Sequence, residues 1–549
     1  MANNRNAELY KYLDLRRGAL RNERVSFDTH WKSLAENIQP RRSRFFVTDR
    51  NKGNRRLRTI VNSAGTQAHR ASAAGLFAGV MSPTRPWFSL GFDDAALAER
   101  PAVGGWLRDV EKRIYSVFNQ SNLYNMAPVM LGELLLFGTG CMFHTDYEES
   151  VARFYTQTIG SYFLAQNDEL IIDTYLREHQ MQVGAIVSYF GLENVTTTIK
   201  DSYDRGDYDK WHDVCHIIEP RREGSRDNPF NNTMPFRSIY WLKEDIEKRI
   251  LRQGGFNTFP LYAPRWGTTG EDIYGTDCPG MVVLGDVKQL QVQEKRKQQA
   301  IDKLVNPPLK GPPSLRNTEI NNIAGGITLF DNPGQTAEGL SPLFVVQPQL
   351  QEMLMDIDRT ERRIQEGFFV DLFFAISNIR GSQYKNEEEI LSRNEERLLQ
   401  LGPVLEQLHG EFLDKLIDRT FDQLVERNML PPPPPELQGQ KLKANYISSL
   451  AQAQRAALAT NPIDRLTAYV VGVANVNPEA IDKFDFDQAL DEYNQALLGP
   501  PKLLRGDDDV ATIRQQRQQM QQQQMQQEQE QAQAQTLETT AKAEAAANA

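Results

Sequence analysis

Residues 284–315 read LGDVKQLQVQEKRKQQAIDKLVNPPLKGPPSL, a continuous helical run to Leu304 followed by four prolines and a glycine in the next eleven residues. At about 1.5 Å per residue the helical part spans about 30 Å. Its middle, QEKRKQQ (293–299), has no apolar residue, so it cannot lie on a core and must face solvent or neighbouring subunits. The chain returns through QPQLQEMLMDIDRTERRIQEGFF (347–369), where Leu350, Met353, Leu354, Ile357, Ile364 and Phe368 form one apolar stripe behind Pro348 in the first turn. The two segments read as an outgoing and a returning limb. Between them, residues 305–346 read as a compact irregular lobe, with GITLF (326–330) as a candidate strand.

Upstream, Leu9, Leu13, Leu20, Phe27, Trp31, Leu34 and Ile38 recur at helical spacing and Pro40 closes the segment, which predicts one or two amphipathic helices over 5–39. The stretch RRSRFFVTDRNKGNRRLR (41–58) is basic with two aromatics, a pattern that suits nucleic acid or a solvated, subunit-facing loop. Residues 62–81 carry Ala64, Ala68, Ala71, Gly75 and Ala78 on one face, where small side chains let another helix approach. Helices over 103–120 and 125–137 follow. From Cys141 to Gly280 the pattern changes to short β-rich runs separated by turn residues, with one helix near 181–193. Regular βαβ alternation is absent, so the fold class is α+β, predominantly helical, rather than a doubly wound sheet.

Downstream, SNIRGSQYK (377–385) is a polar loop, and a helical run follows over 386–428. There Leu391, Leu398, Leu405 and Phe412 repeat every seven residues, with Leu401 and Leu408 between them, as in a coiled-coil seam. Gly402-Pro403 predicts a kink or break. MLPPPPPEL (429–437) reads as a stiff spacer at a domain boundary, with a smaller helical unit over 443–498. The Gln- and Ala-rich end is either a tail or a long exposed helix that needs neighbouring copies.

The 549 residues exceed what one core requires, and 40% hydrophobic with 24% charged residues describes a folded chain. A net charge of −10 argues against a protein whose main task is gripping nucleic acid, although an acidic surface suits a passage through which DNA moves without sticking. Three scattered cysteines point to a reducing compartment, and neither a secretory leader nor a membrane span is expected. No phosphate-cradling G-x-x-x-x-G-K-[ST] loop is present, so any DNA pumping is powered elsewhere. His212, Cys215 and His216 have a metal-like spacing, but on a strand they do not share a face, and GTG (138–140) lacks a Rossmann setting. No enzyme, cofactor or metal site is expected.

The order of elements resembles the portal, or head-to-tail connector, proteins of short-tailed bacteriophages. The resemblance rests on PRW with IYG (264–266 and 273–275), on LGDVKQLQ before a long helix ending in NPP, on SRNEERLLQLGPVLEQL (392–408) and on YISSLAQAQRA (446–456). It implies a portal architecture: wing 1–283, stem helices 284–304 and 347–369, clip 305–346, tunnel loop and long kinked wing helix 370–435, crown 436–506, and 507–549 as a helical barrel or tail. It also implies a ring, typically a dodecamer, at one capsid vertex of the virion, assembled in the host cytoplasm and passing double-stranded DNA. The terminase large subunit, the tail adaptor and the major capsid protein are the implied partners, with no membrane. Arg380, Ser382, Gln383 and Lys385 become tunnel-loop residues. Lys295, Arg296 and Lys297, with Arg359, Arg362 and Arg363, become stem contacts to other subunits or DNA, and Lys310 and Arg316 clip contacts. Two rivals are a coiled-coil scaffold without a DNA passage and a nucleic-acid enzyme.

Overall fold

The computed structural model describes residues 2–45 except 43, 60–92, 100–221, 234–310 except 306 and 308, 341–342, 349–377, 400–437 and 443–450 except 449, with short helical pieces between 466 and 520. The chain divides into two compact units, Met1–Ala451 and Gln452–Ala549. The long helices and both main sheets belong to the first.

The N-terminal periodicity yields a single helix, α1 (Ala2–Ile38), which buries Tyr10, Leu13, Leu20, Trp31, Leu34 and Ile38. Helix α2 (Ala64–Val80) carries the small residues for a steric reason. A Cβ on Gly75 would lie 2.3 Å from the Cβ of Phe373, so only glycine lets that later helix approach. A short strand β1 (Phe88–Gly91) leads into α3 (Pro101–Gln120), with proline in its first turn, and α4 (Leu123–Phe137). The last turn of α4 is wholly buried, and Gly138 closes it at φ 78°.

The β-rich region forms two antiparallel sheets, so the chain is α+β and not doubly wound. Strands β2 (Met142–Tyr147), β3 (Val151–Thr156), β4 (Tyr162–Gln166) and β5 (Ile172–Gln182) precede the helices α5 (Val183–Phe190) and α6 (Thr197–Asp204). Then come β6 (Trp211–Pro220), β7 (Phe236–Leu242), β8 (Ile250–Phe256) and β9 (Leu261–Tyr262). One sheet has the order β3-β2-β9, the other β4-β5-β6-β7-β8. Helix α6 has no apolar run long enough to announce itself; it buries only Ile199 and Ser202. On β6, Cys215 faces the cluster of Tyr10, Leu13 and Leu20, while His216 stacks on Tyr240 with centroids 3.8 Å apart. The two side chains therefore point to opposite faces.

Helix α7 runs from Pro279 to Val305, five residues longer at its start than the sequence pattern suggests. A minimal pair, β10 (Leu309–Lys310) with β11 (Ser341–Pro342), follows; GITLF lies outside the described residues. The return helix α8 (Leu350–Gly367) ends before Phe369, whose φ of 56° turns the chain into α9 (Val370–Ser377).

Leu391 and Leu398 lie outside the described residues. Leu401 caps a new helix, α10 (Gly402–Leu408), with Pro403 in its first turn. A π-helical turn (His409–Leu413) joins it to α11 (Asp414–Glu426). Leu401, Leu405, Leu408 and Phe412 are buried within the chain, Phe412 against Tyr262 at 5.6 Å between rings. An amphipathic helix laid on a sheet produces the same repeat as a coiled coil. The proline run 431–435 lies inside the first unit: beyond it β12 (Lys443–Tyr446) pairs antiparallel with β1, and Trp106 Nε1 donates to Pro431 O at 3.0 Å.

Candidate functional site: the paired helices and their root

Helices α7 and α8 run antiparallel, as their side-chain contacts demand: Arg363 pairs with Asp286 at 3.1 Å, and Gln293 bonds Asp356. Gly367 opposite Val283 lets them close, since a Cβ there would sit 2.4 Å from Val283 Cγ1. Asn62, just before α2, locks the pair. Gln291 Oε1 accepts the N–H groups of Val61 and Asn62 at 2.7 and 2.9 Å, and Asn62 Nδ2 donates to Glu361 at 2.7 Å and Glu294 at 3.2 Å.

Burial on α7 covers Pro279, Gly280, Val283, Leu284, Val287 and Leu290 and stops there. The remaining half of the helix lies off the core, as QEKRKQQ requires. Both limbs nonetheless expose large apolar side chains, with Met355 63%, Val292 48% and Val305 78% exposed. On α8 only part of the expected stripe is covered: Ile357, Ile364 and Phe368 are buried, whereas Leu354 is exposed.

The basic residues divide into two groups. Arg363 is tied to Asp286, and Lys297 to Glu294 at 2.6 Å, so both are engaged within the chain. Lys295, Arg296, Arg359 and Arg362 are exposed and form no ion pair among the described residues. Lys310 sits in β10. Arg316, Arg380, Ser382, Gln383 and Lys385 lie outside the described residues.

What aims the paired helices is a knot of backbone and buried charge at their root, built from the PRW, IYG and GTG segments. Trp266 N donates to Gly138 O and Gly140 N to Pro264 O, each at 2.9 Å, while Gly275 N donates to Thr139 Oγ1 at 2.9 Å. A Cβ on Gly275 would fall 2.0 Å from Gly138 O, so the two chains cross where no side chain fits. GTG is thus a crossing point rather than a phosphate cradle. Arg265 commits all its donors here. Nε and Nη2 bond Glu411 Oε1 at 2.9 and 2.5 Å, Nη1 bonds Asp272 O and Gln166 Oε1, and Nη2 also bonds Leu170 O. Tyr274, fully buried, accepts Leu164 N–H at 2.9 Å and packs edge-on to Trp31. Sequence reasoning missed the Arg265–Glu411 pair, whose partners stand 146 residues apart. The isolated arginine between Pro264 and Trp266 was its one local signal.

A second buried charge sits on α4. Arg42 bonds Glu133 at 3.2 Å, tying down the start of the basic 41–58 segment, and Glu133 Oε2 also accepts Ile159 N–H. Burial pushes the Glu133 carboxyl up to about 7 despite both partners. His69 next to it is lowered to about 4 by burial and by the nearby Arg42. Among the described residues no three His, Cys, Asp or Glu groups could hold a metal ion, and no helix is long and apolar enough to cross a membrane.

These features make a mechanical part: a long helix pair with an unsatisfied outer face, seated on a rigid base. Residues 11–504 match the family model of the bacteriophage head to tail connecting protein. This chain belongs to that family. It is 40% identical to the portal protein of Salmonella phage epsilon15 over 499 residues, 91% of this chain and 89% of that one. It is also 40% identical to the probable portal protein of Bordetella phage BPP-1 over 507 residues, 92% and 91% of the two chains. Among solved structures, a chain of the virion of a native gene transfer agent particle aligns at 14% identity and a TM-score of 0.33, over 80% of this chain and 95% of that one. A chain of the neck of an empty particle aligns at 12% and 0.34. The head-to-tail connector is a virion protein, a portal standing where the head meets the tail.

Proposed function

We propose that this portal acts as a closed ring, a dodecamer, through which double-stranded DNA enters the capsid during packaging and leaves during ejection. In this reading α7 and α8 are the stem, residues 305–346 the clip, 370–435 the tunnel loop with the long wing helix, 436–506 the crown, and 507–549 the barrel or tail. The clip meets the terminase large subunit first and the tail adaptor later, with Lys310 and Arg316 on its surface, and the wing abuts the major capsid protein. The chain is a conduit rather than an enzyme.

One observation carries this reading beyond family membership. The stem helices are joined on the face they share by Arg363–Asp286 and Gln293–Asp356, yet leave Val292, Leu354 and Met355 in water beside Lys295, Arg296, Arg359 and Arg362. Alternating apolar and cationic positions suit helices packed side by side around a wet channel, where the apolar groups meet neighbours and some cations meet carboxylates or phosphates. Polar tunnel-loop groups, Arg380, Ser382, Gln383 and Lys385, touch DNA weakly, and the acidic remainder keeps it moving.

Negative-stain class averages of the purified protein, viewed along the particle axis, test the proposal. Rings with a hole wide enough for a duplex are expected. Filaments or solid bundles would overturn it in favour of a scaffold without a passage.

A further inference from the structure

A cleft of about 630 Å³ lies between α1 and the end of β5, far in sequence from the stem and unused by the connector reading. Its origin is topological. Strand β4 begins at Tyr162, opposite Arg177, whereas β5 runs on to Gln182 paired only with β6 among the described strands. Helix α1 passes over this one-sided stretch of β5 and roofs it.

The lining carries more positive than negative charge, in a chain whose net charge is −10. Each of its three carboxylates is already engaged. Asp28 pairs with Arg24 at 3.0 Å, Glu178 with Arg17 and Lys243 at 3.4 and 3.7 Å, and Asp213 accepts from Gln180 at 2.8 Å. Arg24 is engaged too, since it donates to the carbonyls of Gly160 and Tyr162 and lies 4.0 Å over the Phe163 ring. Arg21, Lys32 and Arg177 line the same cleft, and their side chains form no hydrogen bond or ion pair among the described residues. Arg177 Nε and His179 Nδ1 are buried without a partner. Burial, with Arg177 nearby, lowers His179 to about 3, so its ring is neutral at physiological pH.

A buried guanidinium nitrogen without an acceptor is costly, and among the described residues no carboxylate bonds Arg177 Nε. The guanidinium fork fits phosphate oxygens two at a time, and three cations outside any ion pair among the described residues match a multiply charged anion better than a single carboxylate. The volume falls in the range of small-ligand pockets, roughly 300–1,000 Å³. Trp211, 44% exposed, stands among the lining residues and offers a face on which a base can stack.

We propose that this cleft is a binding site for a small polyphosphate, either free pyrophosphate or the polyphosphate of a nucleotide. The test is titration calorimetry of the full-length protein with sodium pyrophosphate, ATP and citrate, each in EDTA at matched ionic strength. The expected result is one site per chain for both phosphate probes, with Kd below about 1 mM, and no binding of citrate. Arg177→Gln should weaken binding at least about tenfold. Lys32→Gln, on the exposed face of α1, should weaken it severalfold and keeps the test valid if the first variant fails to fold. Trp211→Ala separates the sources: loss confined to ATP assigns a nucleotide, and equal affinities assign the phosphate group alone. Absence of heat, equal binding of citrate, or unchanged affinity in the folded charge variants would each overturn the proposal.

Discussion

Gly280→Ala offers the sharpest test of how the long helix is aimed. Alanine is the better helix former by about 1 kcal/mol, so propensity alone predicts a gain. Sterics oppose it. A Cβ at this position would lie 2.4 Å from Leu136 O and 2.9 Å from Leu136 Cα, both main-chain atoms in the last turn of α4. Backbone cannot rotate away as a side chain can, so α7 must retreat by roughly 1.0 Å to reach ordinary contact. Overpacking of this kind costs about 1–3 kcal/mol, which outweighs or at least cancels the propensity gain. The geometry adds a lever. If α7 tilts about Leu290, the strained point is about 15 Å back and Val305 about 22 Å forward at 1.5 Å per residue, so the tip swings by roughly 1.5 Å. Gly285→Ala is the control, because nothing lies within 4 Å of a Cβ there and only the propensity gain applies. Calorimetric melting and the fraction of assembled rings in negative stain should both fall for Gly280→Ala and hold or rise for Gly285→Ala. Equal stability and assembly of the two variants would refute the argument that backbone contact at Leu136 fixes the helix.

Arg265→Lys should destabilise by about 1–3 kcal/mol, since lysine keeps the charge but cannot bond Glu411 twice and also reach Asp272 O and Leu170 O; an unchanged melting temperature would show the extra bonds to be dispensable. Glu133, whose carboxyl burial holds at about 7 against an ordinary 4.5, stabilises the fold fully below about 4.5, and this contribution, worth about 3 kcal/mol, is lost as pH rises through 7. Glu133→Gln should therefore flatten the melting profile between pH 4.5 and 7, and a profile as steep as the parent's would exclude this carboxyl as its source. Met355→Asp, at a position 63% exposed in the single chain, should leave the subunit folded by circular dichroism but shift mass photometry from rings to monomers; intact rings would remove this face from the subunit contact. Deleting 310–340 should leave rings that no longer capture the terminase large subunit in a pull-down, and retained capture would place the motor's contact elsewhere.

The sequence by itself determined what is local. Periodicity marked α1, α2, α3, α4, α7 and α8 because an amphipathic helix repeats every 3.6 residues whatever it packs against. The missing apolar residues in 293–299 stated that half of α7 lies off the core, and the change to short β-rich runs after Cys141 announced a mixed α+β region rather than a doubly wound sheet. Gly402-Pro403 marked where a new helix begins. The tertiary structure decided what depends on residues far apart in the chain. The leucines of 401–412 read as a coiled-coil seam, and only the ring of Tyr262 against Phe412 shows them to be a core face within the chain. The proline run reads as a boundary, yet the pairing of β12 with β1 carries the first unit past it, because a hydrogen-bonded ladder across more than 350 residues leaves no trace in local composition. GTG and IYG are weak motifs until Gly275 is seen crossing Gly138 with no room for a side chain. Arg265 likewise gains its meaning from Glu411, and Arg177 from a buried Nε that finds no partner among the described residues, since electrostatic energy depends on distance in space and sequence records only distance along the chain.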